Sequence, residues 1–136
     1  MLLAILLAPA AFAALCAAAD AGSSAARVAA IVQAGLTLPY VGFVFLDALA
    51  MLLLRCDETC DESLLRAYRS GHWWHAASAW QWWVQALLAL GAFAAVVFTL
   101  VVVARRRYPH GAVGFALAAA CFGAWVAMIA PLGSTA

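Results

Sequence analysis

Charged side chains are scarce in this chain, and their scarcity excludes a soluble globular protein. Only 10% of the 136 residues are charged, 69% are hydrophobic and the mean hydropathy is +1.03. A soluble domain carries about 25% charged residues, and a chain of this size cannot hide so much apolar surface from water. There is also no basic tail or other nucleic-acid signature, so we expect the lipid bilayer as the surroundings and no nucleic-acid partner.

The apolar residues are gathered in four long runs, and a helix that spans a bilayer needs about 20 of them. We therefore predict an all-α membrane protein, an antiparallel four-transmembrane-helix bundle with one structured extracytoplasmic loop. The chain is too short to hold a soluble catalytic domain as well, so 1–136 is expected to be a single transmembrane domain. The predicted helices cover about 2–19, 28–54, 72–104 and 112–131, and the predicted loop covers 55–71.

The first run has two interpretations, a cleaved signal peptide or a retained helix. A signal peptide has a basic segment ahead of its apolar core, and no Lys or Arg precedes this run. The sequence therefore favours a retained first helix. Ser23 or Ser24 is expected to cap the second helix, because a serine side chain accepts a hydrogen bond from the first-turn backbone.

Basic residues give the expected orientation. Arg105, Arg106 and Arg107 form a cluster ahead of a predicted tight turn at 108–111, and such clusters favour the cytoplasmic side. Four spans then place both termini and the 55–71 loop outside the cytoplasmic membrane, N-out and C-out. Within that loop, a capping-box pattern and apolar residues at helical spacing predict a short surface helix over about 60–69.

Cys56 and Cys60 lie in this loop, and an extracytoplasmic location favours a disulfide between them. A ring of this size restrains the unfolded chain little, contributing about 2 kcal/mol. A structural bridge and a redox-active pair both remain open, although the spacing is C-x3-C and not C-x-x-C. Cys16 and Cys121 lie in apolar spans, where cysteine behaves as a small hydrophobic residue.

A zinc site is the second hypothesis for the same cysteines. With His72 and His75 they supply two thiolates and two imidazoles, the ligands of a closed tetrahedral site. Both histidine spacings are one residue shorter than the usual pattern. These histidines could equally be polar residues at the membrane interface.

Tryptophan is concentrated at the start of the third predicted helix. The indole ring prefers the membrane interface, because it is apolar and carries a polar N–H group. An aromatic belt is the expected role, and contact with a quinone, a lipid or a partner helix is a second hypothesis. The residues concerned are Trp73, Trp74, Trp80, Trp82 and Trp83.

Asp47 is the only carboxylate inside a predicted span. A charged carboxylate at mid-bilayer costs about 2.5–3.5 kcal/mol, so it should face the bundle and have a partner. Gln81 lies at a similar depth in the third helix, and Ser78, Gln81 and Gln85 lie on one stripe of it. We expect a hydrogen-bonded polar seam between helices two and three, and a proton or ion pathway is the functional hypothesis for the same residues.

No complete catalytic set is present in the sequence, so a non-catalytic accessory or assembly subunit of a larger membrane complex is the leading hypothesis. Its expected partners are the bilayer, other membrane-protein subunits or a second copy of itself. Alanines repeat every fourth residue in the last helix, from Ala112 to Ala124, and small residues allow helices to approach closely in lipid.

Further hypotheses concern the loop cysteines and Asp47. In helix count and cysteine location the chain resembles small four-helix thiol oxidases of the vitamin K epoxide reductase kind, which implies quinone-coupled disulfide chemistry at Cys56 and Cys60. It lacks the C-x-x-C of those enzymes and an evident second redox pair. A metal-binding membrane protein would use the cysteines and histidines of the zinc pattern, and a small oligomeric transporter would use Asp47. No cofactor is expected for an accessory subunit, whereas the oxidase would need quinone and the metal-binding protein zinc.

Overall fold

Four helices make up the part of the chain that the structure, a computed structural model, describes. It describes the backbone of residues 2–53 and 79–133 and the side chains of residues 3–50 and 83–128. Each helix contains a stretch long and apolar enough to cross a membrane, which confirms the predicted all-helical fold with four candidate spans. The helices are α1 Leu2–Asp20, α2 Ser24–Leu53, α3 Ala79–Ala104 and α4 Tyr108–Gly133.

Three residues, 21–23, link α1 to α2. Gly22 adopts φ +104°, and its N–H donates to the carbonyl of Ala19 at 3.0 Å. The N–H of Ser23 donates to Ala18 at 3.1 Å, which completes a Schellman motif. The Ser23 hydroxyl accepts a bond from the N–H of Ala26 at 3.2 Å, so the expected serine cap is confirmed at Ser23.

The link between α3 and α4 has the same backbone geometry without a glycine. Arg106 adopts φ 61°, and its N–H donates to Val103 at 3.0 Å while that of Arg107 donates to Val102 at 2.8 Å. The chain is already reversed at Arg106, so α4 begins at Tyr108. The stretch 108–111 is therefore the first turn of a helix and not the tight turn expected from its sequence.

Proline does not prevent this early start. Pro109 is the second residue of α4, where the backbone N–H has no partner within the helix and its absence costs nothing. Pro9 and Pro39 lie inside α1 and α2, which continue through them.

The helices contact one another in a closed ring, α1 to α2, α2 to α3, α3 to α4 and α4 back to α1. Three clusters of buried side chains lie along this ring. Among the described residues, the buried ones of α1 are Phe12, Cys16 and Ala19. All three belong to the cluster nearest the two short links. The other two clusters consist of buried residues of α2, α3 and α4. The first half of α1 therefore lies against the bundle and not within it.

Two glycines of α4 leave no space for a side chain against α3. A β-carbon on Gly111 would lie 2.5 Å from Val103, and one on Gly114 would lie 2.6 Å from the Thr99 hydroxyl. Real β-carbons do not approach other atoms this closely, so any larger residue would push the helices apart. The two glycines therefore fix the spacing of α3 and α4 near their link.

Large apolar side chains cover the outside of the bundle. Leu36 is 72% exposed, Phe43 69% and Val113 69%. In water this surface would be unstable, whereas lipid chains solvate it. Membrane embedding therefore accounts for the side-chain distribution as well as for the helix lengths.

Candidate functional site

The loop chemistry expected from the sequence falls in 54–78, outside the described residues. The disulfide between Cys56 and Cys60 and the zinc site with His72 and His75 therefore stay predictions. Within the ranges that the structure does describe, no three His, Cys, Asp or Glu side chains are grouped to hold a metal ion. Trp73, Trp74 and Ser78 also lie outside the described residues.

Asp47 and Gln85 lie toward the same end of the α2–α3 interface. Ala48 of α2 and Ala89 of α3 belong to one buried cluster. Asp47 is next to Ala48 in the sequence, and Gln85 lies one helical turn before Ala89. Asp47 is partly buried and has an interaction partner. Gln85 is 1% exposed, and within the described part of the chain neither its amide nitrogen nor its oxygen has a hydrogen-bond partner. An Asp47–Gln85 hydrogen bond is therefore not formed.

The remaining members of the expected seam and belt are only partly described. Gln81, Trp80 and Trp82 lie in α3, but their side chains are outside the described set, so their roles stay predictions. Trp83 is described and is 51% exposed, facing outward. Trp125, for which the sequence analysis predicts no role, is 5% exposed.

The arginine cluster lies at the bundle end that carries both short links. Arg105, Arg106 and Arg107 are exposed. From the first turn of α2, a guanidinium nitrogen of Arg27 donates to the carbonyl of Ala104, the last residue of α3, at 3.3 Å. A cation is favourable at a helix C-terminus, where the carbonyl groups carry partial negative charge. Arg27 therefore ties the start of α2 to the end of α3.

A cavity of about 260 Å³ lies between α1, α2 and α4, with Val96 of α3 in its wall, and is partly open to the outside. Its wall is apolar except along α2, where Gln33, Thr37 and Tyr40 line it. These residues share one helix face, because their spacings of four and three follow the helical repeat. The remaining lining residues are Ala4, Ile5, Ala8, Val41, Val96, Phe115, Ala118, Ala119 and Phe122.

Hydrogen bonds hold part of this polar wall in place. The Gln33 amide nitrogen donates to the carbonyl of Ala8 on α1 at 3.4 Å, and the Thr37 hydroxyl donates to the Gln33 carbonyl at 2.8 Å. The Tyr40 ring packs edge-on against Phe122, with 5.6 Å between ring centroids. Among the described residues, no hydrogen bond reaches the Tyr40 hydroxyl or the Gln33 side-chain oxygen.

A second and wholly apolar groove, of about 450 Å³, separates α1 from α4. We call it the α1–α4 groove. Its α4 wall is built from small residues, and its α1 wall carries Pro9. The lining residues are Ile5, Leu6, Pro9, Ala116, Ala119, Ala120, Gly123, Val126 and Ala127.

Comparisons with protein-family models, curated proteins and solved structures give no match to this chain. Two spaces beside α1 are the candidate sites among the described residues. Sequence reasoning did not identify the polar cavity, although the spacing of Gln33, Thr37 and Tyr40 within a span was a usable signal.

Proposed function

We propose that this chain is a non-catalytic accessory or assembly subunit of a larger membrane complex, and that a partner transmembrane helix packs in the α1–α4 groove. The observation that supports this most is the location of the alanine repeat of α4. Ala116, Ala120 and Ala124 are exposed, whereas Gly114 and Ala118 face the bundle. Ala116 and Ala120 line the groove and are available to a partner, whereas Ala112 packs against the buried cluster near the links.

The physical reason is the weakness of the hydrophobic effect inside a membrane. Lipid tails are as apolar as leucine, so helices associate there through close van der Waals packing. Small side chains allow that packing, because they let two backbones approach. A groove with a small-residue floor fits a helix better than it fits a disordered lipid chain.

The proposal includes an antiparallel arrangement with both termini and the 55–71 loop outside the cytoplasmic membrane. The hydrogen bond from Arg27 to Ala104 supports it, because it joins the start of α2 to the end of α3. Both short links, with four arginines, are then on the cytoplasmic side.

This orientation is tested by labelling single engineered cysteines with an impermeant reagent on whole cells. In a background without native cysteines, Ser63→Cys is expected to react and His110→Cys to react only after permeabilisation. Reaction of intact cells at 110 alone would reverse the topology.

The accessory role is tested by a photo-crosslinking residue at position 120, followed by gentle detergent purification from the native membrane. We expect one crosslinked partner subunit that co-purifies stoichiometrically. The double variant Ala116→Leu/Ala120→Leu should release it, because the leucines fill the groove floor. The matched variant Ala29→Leu/Ala94→Leu, which makes the same change at exposed sites outside the groove, should retain it.

Two outcomes would contradict the proposal. Retention of the partner by the groove-filling variant would show that the groove is not the interface. A crosslinked product containing only this chain would indicate a homo-oligomer and not an accessory subunit.

A further inference from the structure

We propose that the 260 Å³ cavity between α1, α2 and α4 binds a neutral, membrane-soluble molecule with a ring-sized head that carries carbonyl or hydroxyl groups, the chemistry of a quinone or quinol. This inference does not depend on the accessory role, because its test uses the chain without a partner, although Ile5 and Ala119 line both the cavity and the α1–α4 groove. Three observations support the proposal: the position of the polar wall along α2, its unused hydrogen-bonding groups and the size of the cavity.

The polar wall lies near the middle of α2, a helix long enough to span the bilayer. Alpha-2 has 30 residues and is therefore about 45 Å long, longer than the roughly 30 Å of bilayer hydrocarbon. Thr37 is about 20 Å from the first residue of this helix, near its middle. Water does not reach this depth to satisfy polar groups, so an unused hydroxyl here costs free energy unless a partner supplies the bond.

The unused groups both donate and accept. Tyr40 is 56% exposed, so it belongs to the open side of the cavity, and its hydroxyl is a donor with no described acceptor. The second amide hydrogen of Gln33 is also available. The Gln33 side-chain oxygen and the Thr37 oxygen are acceptors. A ring carbonyl accepts from the donors, and a ring hydroxyl donates to the acceptors. An alkyl chain would leave all of them unsatisfied.

The size of the cavity and the charge of its wall further restrict the class of molecule that it can bind. A cavity of about 150 Å³ holds benzene, so 260 Å³ accommodates a substituted six-membered ring. Among the described residues, no charged side chain lines the wall, which argues against phosphate or carboxylate heads. The partial opening to the outside lets an apolar tail extend into the surrounding lipid.

The test measures equilibrium binding to the full chain in lipid nanodiscs. The probe is a benzoquinone with a ten-carbon alkyl chain, and the comparison compound is benzene with the same chain. We expect the quinone to bind at least tenfold more tightly, because only its carbonyls use the polar wall. Tyr40→Phe should weaken quinone binding about three- to tenfold, the net effect of one lost hydrogen bond, and leave alkylbenzene binding unchanged.

Matched controls separate this site from others. Tyr108→Phe removes a hydroxyl outside the cavity and should change neither affinity. Ala119→Phe fills the cavity and should abolish binding of both compounds; the monodisperse elution of each variant establishes that it is folded. Equal affinities for the two compounds, an equal effect of the two tyrosine variants, or unchanged binding in Ala119→Phe would each overturn the proposal.

Discussion

Gly114→Ala tests the contact that sets the spacing of α3 and α4. The added β-carbon would lie 2.6 Å from the Thr99 hydroxyl and 2.9 Å from the Phe98 ring. Phe98 is 47% exposed and has room to rotate away. Thr99 is fully buried, and its hydroxyl donates to the Ala95 carbonyl at 2.7 Å, so it cannot move without losing that bond. The backbone of α4 must therefore shift instead.

The expected magnitude follows from two opposing effects. Overpacking a well-packed core costs about 1–3 kcal/mol, and replacing a helical glycine by alanine gains about 1 kcal/mol. Gly35→Ala isolates the second effect, because a β-carbon at this exposed α2 site meets no atom within 4 Å. We expect Gly35→Ala to raise the free energy of unfolding. The free energy of unfolding of Gly114→Ala should be about 1–3 kcal/mol lower than that of Gly35→Ala.

Reversible unfolding in mixed micelles, followed by helical circular dichroism, measures both variants. A further variant locates the clash. If the Thr99 hydroxyl is the obstacle, Gly114→Ala should cost less in a Thr99→Ala background than in the natural chain. Equal stability of Gly114→Ala and Gly35→Ala, or strict additivity of the two changes at 99 and 114, would refute the reasoning.

Three further predictions concern other parts of the chain. Gln85→Met should raise the free energy of unfolding by about 1–3 kcal/mol in the same assay. The reason is that it removes a buried carboxamide with no hydrogen-bond partner among the described residues. A loss of stability would contradict this and show that the carboxamide has a partner in the membrane. Arg106→Gly should raise the free energy of unfolding by about 1 kcal/mol, because glycine adopts φ 61° without strain, and lower stability would contradict this. Cys56 and Cys60 should form a disulfide, so reduction should add two hydrogens to the intact mass; free thiols or a stoichiometric zinc in the native protein would exclude it.

The helices were predictable because membrane spans depend on local composition. Long apolar runs produced four spans, and the serine ahead of α2 carried a recognisable capping signal. The start of α4 was not predictable in the same way. The left-handed conformation is ordinarily taken by glycine, and nothing in three consecutive arginines marks Arg106 for it. The conformation is held by two backbone hydrogen bonds that form only when the turn closes.

The spaces beside α1 were harder to predict from the sequence. The alanine repeat of α4 was recognised, but its exposure depends on which α4 face packs against α3. That choice is fixed by the close contact at Gly114, which involves residues on two helices. The cavity likewise needs three helices to form, so the polar spacing on α2 could at most have suggested one wall.

The left-handed Arg106 affects how membrane topology can be investigated in this protein. Experiments on topology commonly neutralise a basic cluster and ask whether the chain inverts. Here one member of the cluster also holds the reversal of the chain between two spans. Leucine at 106 removes the charge and bears about the same left-handed strain as arginine, whereas glycine removes the charge and also relieves that strain. Comparing glycine and leucine at this one position therefore keeps the loss of charge constant and varies only the backbone strain of the turn.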